Sequence, residues 1–171
     1  MEVDSHALST ISDQNVEMNL KHHYLNKDSY ILEVIERIKE ELEGEKNAKA
    51  LTVGCSVGRI PLELGKIVEE SIGIDYTTRY FQMSTRLKES GCLKFKDIDI
   101  DLKSMNICHE NVSLLQMNPE NPDEHKISCC DLIILDGYSI KKGAIQEVIK
   151  QTLKLSENSA VLVVLNASGR N

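Results

Sequence analysis

The stretch that most constrains this 171-residue chain is residues 50–76, ALTVGCSVGRIPLELGKIVEESIGIDY. Ala50, Leu51 and Val53 make a short apolar run of strand length, residues 54–58 supply a glycine turn, and Ile60, Leu64, Ile67 and Val68 then recur at helical spacing. Ile72, Gly73 and Ile74 resume the strand pattern, which closes on Asp75. Strand, glycine turn, helix, strand is the β-α-β unit, whose crossover is right-handed and whose strands lie parallel. A chain that contains it belongs to the α/β class.

The residue types of this unit also point to a ligand. Glycines let backbone approach a bound molecule, and a helix N-terminus offers N–H groups without intrahelical partners. A carboxylate ending the second strand suits a ribose diol, because it accepts from both hydroxyls. The dinucleotide fingerprint requires G-x-G-x-x-G, whereas this turn reads Gly54-Cys55-Ser56-Val57-Gly58. With Ser56 in place of the middle glycine, a pyrophosphate pressed onto the turn is disfavoured and a smaller adenosyl ligand fits better.

The length fits one domain with a continuous core, and a net charge of -7 opposes a large phosphate-binding surface. A small molecule or a protein is therefore the expected partner, and no nucleic acid. No apolar run approaches the roughly 20 residues of a membrane helix, so no membrane contact is expected. The five cysteines, Cys55, Cys92, Cys108, Cys129 and Cys130, show no C-x-x-C spacing and no secretory leader precedes them. They read as buried, reduced thiols in a cytoplasmic protein.

Along the chain, residues 1–21 are polar and aperiodic and read as a mobile tail. His22-His23 lack a third ligand at useful spacing, so no metal is expected, and the pair reads as solvated or as the entry to a helix. Asp28 or Ser29 can cap a helix whose stripe is Ile31, Ile35, Ile38 and Leu42, with Gly44 placed to end it. Thr77 or Thr78 can cap another, carrying Tyr80, Met83 and Leu87 and ending near Gly91. Ile98 and Ile100 alternate as in a hairpin arm or short extra strand. Residues 112–116, 131–135 and 160–165 are further strands, with a breaker-rich loop at 118–123 and a helix marked by Ala144, Ile145, Val148, Ile149 and Leu153.

Three segments together resemble the class I S-adenosylmethionine-dependent methyltransferases: LTVGCSVGR is similar to their glycine motif, GIDYTTRYFQ to the acidic end of their second strand, and CDLIILDG to their fourth strand. Within that class, GCSVGRIPLEL, GIDYTTRYFQMSTRLKESG and the charged insertion after them resemble the methyltransferase domain of ovothiol-synthesis enzymes, which acts on a mercaptohistidine imidazole. The resemblance implies a Rossmann-like three-layer sandwich with a mostly parallel sheet, a single domain over residues 22–171, and S-adenosyl-L-methionine as cofactor. It implies that Gly54, Cys55, Ser56 and Gly58 line the methionine part, that Asp75 takes the ribose hydroxyls with Tyr76 beside them, that Asn118 faces the adenine, and that Asp136 and Tyr138 lie near the donor methyl or the acceptor entrance.

The chain departs from the pattern at Thr52, where an acidic residue is usual, and at Met117, where a glycine is expected. It also reads as truncated after the fifth strand, without the family's sixth and seventh. Residues 160–165, AVLVVL, would then form an edge free of charge and proline, which is expected to be covered by a second copy, a partner or further chain. Two function classes follow besides the methyltransferase: a catalytically inactive methyltransferase-like binding or interaction protein, favoured by Thr52 and Asn118, and a nicotinamide-dependent enzyme, opposed by Ser56.

Overall fold

The computed structural model describes residues 11–27, 29–42, 47–107, 109–127, 129–137, 140 and 143–165. Five parallel strands form the main sheet: β1 (Lys49–Val53), β2 (Glu70–Asp75), β5 (Val112–Gln116), β6 (Cys130–Asp136) and β7 (Ser156–Leu165). Their order is β5-β2-β1-β6-β7, with Leu51 level with Ile72 on one side and Ile133 on the other. The remaining two, β3 (Cys92–Phe95) and β4 (Ile98–Asp101), make a separate antiparallel hairpin. Helices on both faces complete the three-layer α/β sandwich expected from the sequence.

Each layer follows from side-chain periodicity. In β1, Ala50 packs with Ile31, Ile35 and Ile38 of α2 (Tyr30–Glu41) and with Ile60 and Leu64 of α3 (Arg59–Leu64), while Leu51 and Val53 point to the other face. There they meet Val148 of α5 (Ile145–Leu153). Both faces of the central strands are therefore apolar, as a parallel sheet requires. Ser29 caps α2, its hydroxyl accepting from the Ile31 N–H at 3.3 Å, whereas Asp28 and Gly44 lie outside the described residues. Helix α4 (Thr78–Ser90) ends where expected, at Gly91 in the left-handed conformation.

The N-terminal segment corrects the sequence reading. Residues 13–20, expected in a mobile tail, form α1 (Asp13–Leu20), and residues 21–25 continue it as a π-helical turn (Lys21–Leu25). Ser12 caps α1 through its hydroxyl, and Val16 and Leu20 are fully buried with Leu62, Met83, Leu87 and Ile100. The Val16/Leu20 pair at i,i+4 supplies enough apolar burial to hold a short helix that would not persist alone. His23 is buried rather than solvated, and residues 1–10 lie outside the described ones. The hairpin is docked by the same cluster, with Ile98 and Ile100 turned inward.

Gly73 is a tightly packed point inside the sheet. A Cβ there would sit 2.8 Å from Pro61 Cγ, 2.9 Å from Leu114 Cδ2 and 3.0 Å from Cys55 Sγ. Gly73→Ala is expected to destabilise the fold by about 1–3 kcal/mol through overpacking. Urea unfolding reads this directly, and an unchanged midpoint would contradict the packing described.

Strand β7 is longer than the sequence suggests and stands at one edge of the sheet, with Val161 and Val164 exposed. A groove of about 730 Å³ runs between its apolar face and α2, from Tyr30 to Leu42. Among the described residues no helix is long and apolar enough to cross a membrane.

Candidate functional site

The C-terminal ends of β1, β2 and β6 converge, and the residues singled out in the sequence meet there. Gly54 and Gly58 both adopt positive φ, 76° and 85°, and Ser56 itself is left-handed at 50°. This strained turn is held from below by Asp75. Its Oδ2 accepts from the Ser56 N–H at 2.8 Å and its Oδ1 from the Thr77 N–H at 2.8 Å. Thr77 thus occupies the N-cap position of α4 without a capping bond from its hydroxyl, and its amide serves the carboxylate instead.

Asp75 is 2% exposed, and burial raises its carboxyl above the ordinary range, with the Thr77 and Ser56 N–H groups pulling the other way. Asp136, equally buried at the end of β6, accepts from the Tyr30 hydroxyl at 3.1 Å. Cys55 follows β1, the strand between β2 and β6: its buried thiol is pushed far up, first by desolvation and then by the charges of Asp75 and, less, Asp136. It is therefore a packing residue and no nucleophile. Cys130 is buried as expected of a structural thiol, but Cys92 and Cys129 are exposed, and Cys108 lies outside the described residues.

Arg59, the basic residue of the turn, is turned away from the cleft. It forms a buried ion pair with Glu63 at 2.7 Å, donates to the His23 carbonyl at 3.1 Å and lies over the Tyr24 ring. The Tyr24 hydroxyl in turn donates to the Val57 carbonyl at 2.9 Å, so the π-helical turn fastens the glycine turn from outside.

Of the other expected residues, Tyr76 is half-buried directly after Asp75. Asn118 is exposed, and its side-chain oxygen accepts from the Glu120 N–H at 2.9 Å, making an Asx turn. Tyr138 lies outside the described residues. Thr52 is fully buried, and its hydroxyl has no hydrogen-bond partner among the described residues.

Three contributors were missed in the sequence. The Ser56 hydroxyl donates to Asn19 Oδ1 at 3.3 Å, and the Asn19 amide donates to the Tyr80 hydroxyl at 2.8 Å. Tyr30 joins through Asp136. Asn19 was hidden in a segment without obvious period, although Ser12 as a cap with Val16 and Leu20 at i,i+4 was the available signal. Tyr80 reads as a member of a helical core stripe, and Tyr30 stands next to the Ile31 stripe without belonging to it.

His23 gives this region a pH signature. Burial, then the neighbouring His22 and Arg59 charges, lower its pKa from 6.5 to about 3. A folded-state value below the unfolded one means that the unfolded chain binds the extra proton, so stability is lost as pH falls from 6.5 toward 3. By pH 5 the loss amounts to about 2 kcal/mol. Asp75 acts with opposite sign, since its raised value favours the fold at low pH and is lost as pH rises. Urea melts at pH 7 and pH 5 should show the loss, and His23→Gln should flatten it; an equal slope in that variant would contradict the assignment.

No family model and no curated protein matches the sequence. Solved structures do share the fold. A protein of Methanococcus maripaludis described as an S-adenosyl-L-methionine-dependent methyltransferase superposes with a TM-score of 0.64 at 12% identity, over 96% of this chain and 66% of that one. An S-adenosylmethionine-dependent methyltransferase of Clostridium acetobutylicum gives 0.61 at 12% identity, over 90% and 57%. Precorrin 8w decarboxylase of Methanobacterium thermoautotrophicum gives 0.55 at 23% identity, over 77% and 61%. The chain thus spans between about half and two thirds of the length of these structures. At such identities the likeness is one of fold, and a decarboxylase among them shows that the fold alone does not set the reaction.

Proposed function

We propose that the protein binds S-adenosyl-L-methionine above the 54–58 turn and transfers its methyl group to a small-molecule acceptor. The observation that carries this reading is the pair of buried carboxylates, Asp75 and Asp136, at the C-terminal ends of β2 and β6, the two strands that flank β1 and the glycine turn after it. Two acids beside a glycine turn, with Arg59 committed to Glu63, oppose a pyrophosphate. They suit a ligand that offers a ribose diol and a positive sulfonium. Each Asp75 oxygen that accepts one backbone N–H still has a second lone pair for a hydroxyl.

On this reading Gly54, Cys55, Ser56 and Gly58 line the methionine portion, Asp75 and Tyr76 hold the ribose, Asn118 lies toward the adenine, and Asp136 stands near the methyl. Asn19 and Tyr80 cover the turn from α1 and α4. When bound, the cofactor supplies an electrophilic methyl group, so the protein's task is positioning and exclusion of water. The sequence resemblance suggests a mercaptohistidine imidazole nitrogen as the first acceptor to assay.

Calorimetric titration with S-adenosyl-L-methionine and, separately, with NAD tests the proposal. Saturable heat with the first and none with the second is expected, followed by a methylated product with a suitable acceptor. Preference for NAD, or binding of neither, would overturn it. Cofactor binding without transfer to any acceptor would favour the methyltransferase-like binding protein instead.

A further inference from the structure

A relay of side chains crosses from α4 by way of α1 to the glycine turn, and its hydrogens can be assigned one by one. The Asn19 amide donates to the Asn15 carbonyl at 2.9 Å. A carbonyl only accepts, so this bond fixes which end of the Asn19 amide is the NH₂. The other NH₂ proton goes to the Tyr80 hydroxyl at 2.8 Å, and the amide oxygen accepts from the Ser56 hydroxyl at 3.3 Å. The Tyr80 oxygen is therefore an acceptor toward Asn19, and its own proton meets no acceptor among the described residues. Tyr80 is half-buried, and burial first and the Asp75 charge second hold its pKa up, so the phenol stays protonated in the field of that acid. The cations of the surrounding elements are committed elsewhere: Lys21 and Lys96 to Glu17, Arg79 to Asp13 and the Ile11 carbonyl, and Arg59 to Glu63.

We infer that the Tyr80 hydroxyl, oriented by Asn19, is the donor to the carboxylate of the ligand's amino-acid portion. This deepens the reading above and rests on it, since residues 54–58 line that portion there and Ser56 is the next link after Asn19. A carboxylate brings acceptors and no proton, which is what a hydroxyl already occupied on its acceptor side requires. The ribose hydroxyls, by contrast, need an acceptor and have one in Asp75. A neutral donor also suits a ligand with a sulfonium, because a lysine or arginine at the same place would repel that positive charge. Asn19 is a positioning residue: it takes the lone-pair side of Tyr80 and leaves the proton free for the ligand. Helix α1 thereby belongs to the site, anchored for that purpose by Val16 and Leu20.

The test is calorimetric titration of the full chain with S-adenosylhomocysteine and with its decarboxylated analogue, which keeps the adenosine, the sulfur and the amine. Wild type should prefer S-adenosylhomocysteine by about 10-fold or more, the ratio that one hydrogen bond to a charged group supplies. Tyr80→Phe, which keeps the ring, should lose most of that preference while its affinity for the analogue stays close to wild type. Asn19→Asp should lower S-adenosylhomocysteine affinity more than Asn19→Ala, because the new carboxylate would accept the Tyr80 proton itself and repel that of the ligand. No preference in wild type, or a Tyr80→Phe variant that weakens both ligands equally, overturns the inference while the cofactor reading stands. Failure of both ligands to bind wild type removes both.

Discussion

Replacing Asp75 with alanine is expected to weaken S-adenosyl-L-methionine binding by about 100-fold or more, the equivalent of two charge-assisted hydrogen bonds at roughly 1.5 kcal/mol each. The loss has two sources. The ribose diol would lose its acceptor, and the Ser56 and Thr77 N–H groups, both directed at this carboxylate, would lose theirs. The second effect reaches the ligand indirectly, since Ser56 sits at φ 50° and is kept in that conformation by the bond. Asp75→Asn keeps the shape but turns an amide NH₂ toward one of the two N–H donors, so it should also bind poorly and should destabilise the fold by about 1–3 kcal/mol. Burial already disfavours the ionised Asp75. A group whose charge opposes folding is typical of a site kept for binding. Isothermal calorimetry on wild type and both variants measures the effect, and wild-type affinity in Asp75→Ala would refute the assignment.

The largest effect on stability is expected at Arg59. Arg59→Leu would leave Glu63 buried with Lys66 as its remaining partner, strip the His23 carbonyl of its donor and remove the cation over Tyr24. Breaking one side of a buried ion pair destabilises by about 3–5 kcal/mol, which lowers Tm by roughly 10 °C in a domain of this size. Arg59→Leu combined with Glu63→Leu should recover part of that loss, because no unpaired charge then stays buried. A scanning melt of the two variants decides it: a double variant as unstable as the single one would show that the pair is not where the energy lies. Because Tyr24 and His23 hold the glycine turn through this cluster, the single variant should also bind cofactor less tightly.

Much of this was legible in the sequence, and the parts that were not share a cause. The β1-turn-α3-β2 unit could be read because its glycines and its strand and helix periods are local. The same holds for α2, whose stripe Ile31, Ile35, Ile38 faces one way and whose cap Ser29 lies next to it. Helix α1 escaped notice because only two of its residues, Val16 and Leu20, are buried apolar ones, and its stability comes from a cluster assembled by α4 and the hairpin. Burial of His23 follows from that docking and not from its neighbours in sequence. Asn19, Tyr30 and Tyr80 were missed for the same reason: each reaches a partner at least 37 residues away. The acid at Asp75 was legible, but its double duty toward Ser56 and Thr77 was not, since it depends on how the turn curls over the strand end.

The most direct test of the adenosyl site is a crystal structure of the protein with S-adenosylhomocysteine. It should show the ribose hydroxyls at hydrogen-bond distance, about 2.7 Å, from the Asp75 carboxylate, with the amino-acid portion along residues 54–58. Ligand density elsewhere, with Asp75 bonded only to Ser56 and Thr77, would contradict it.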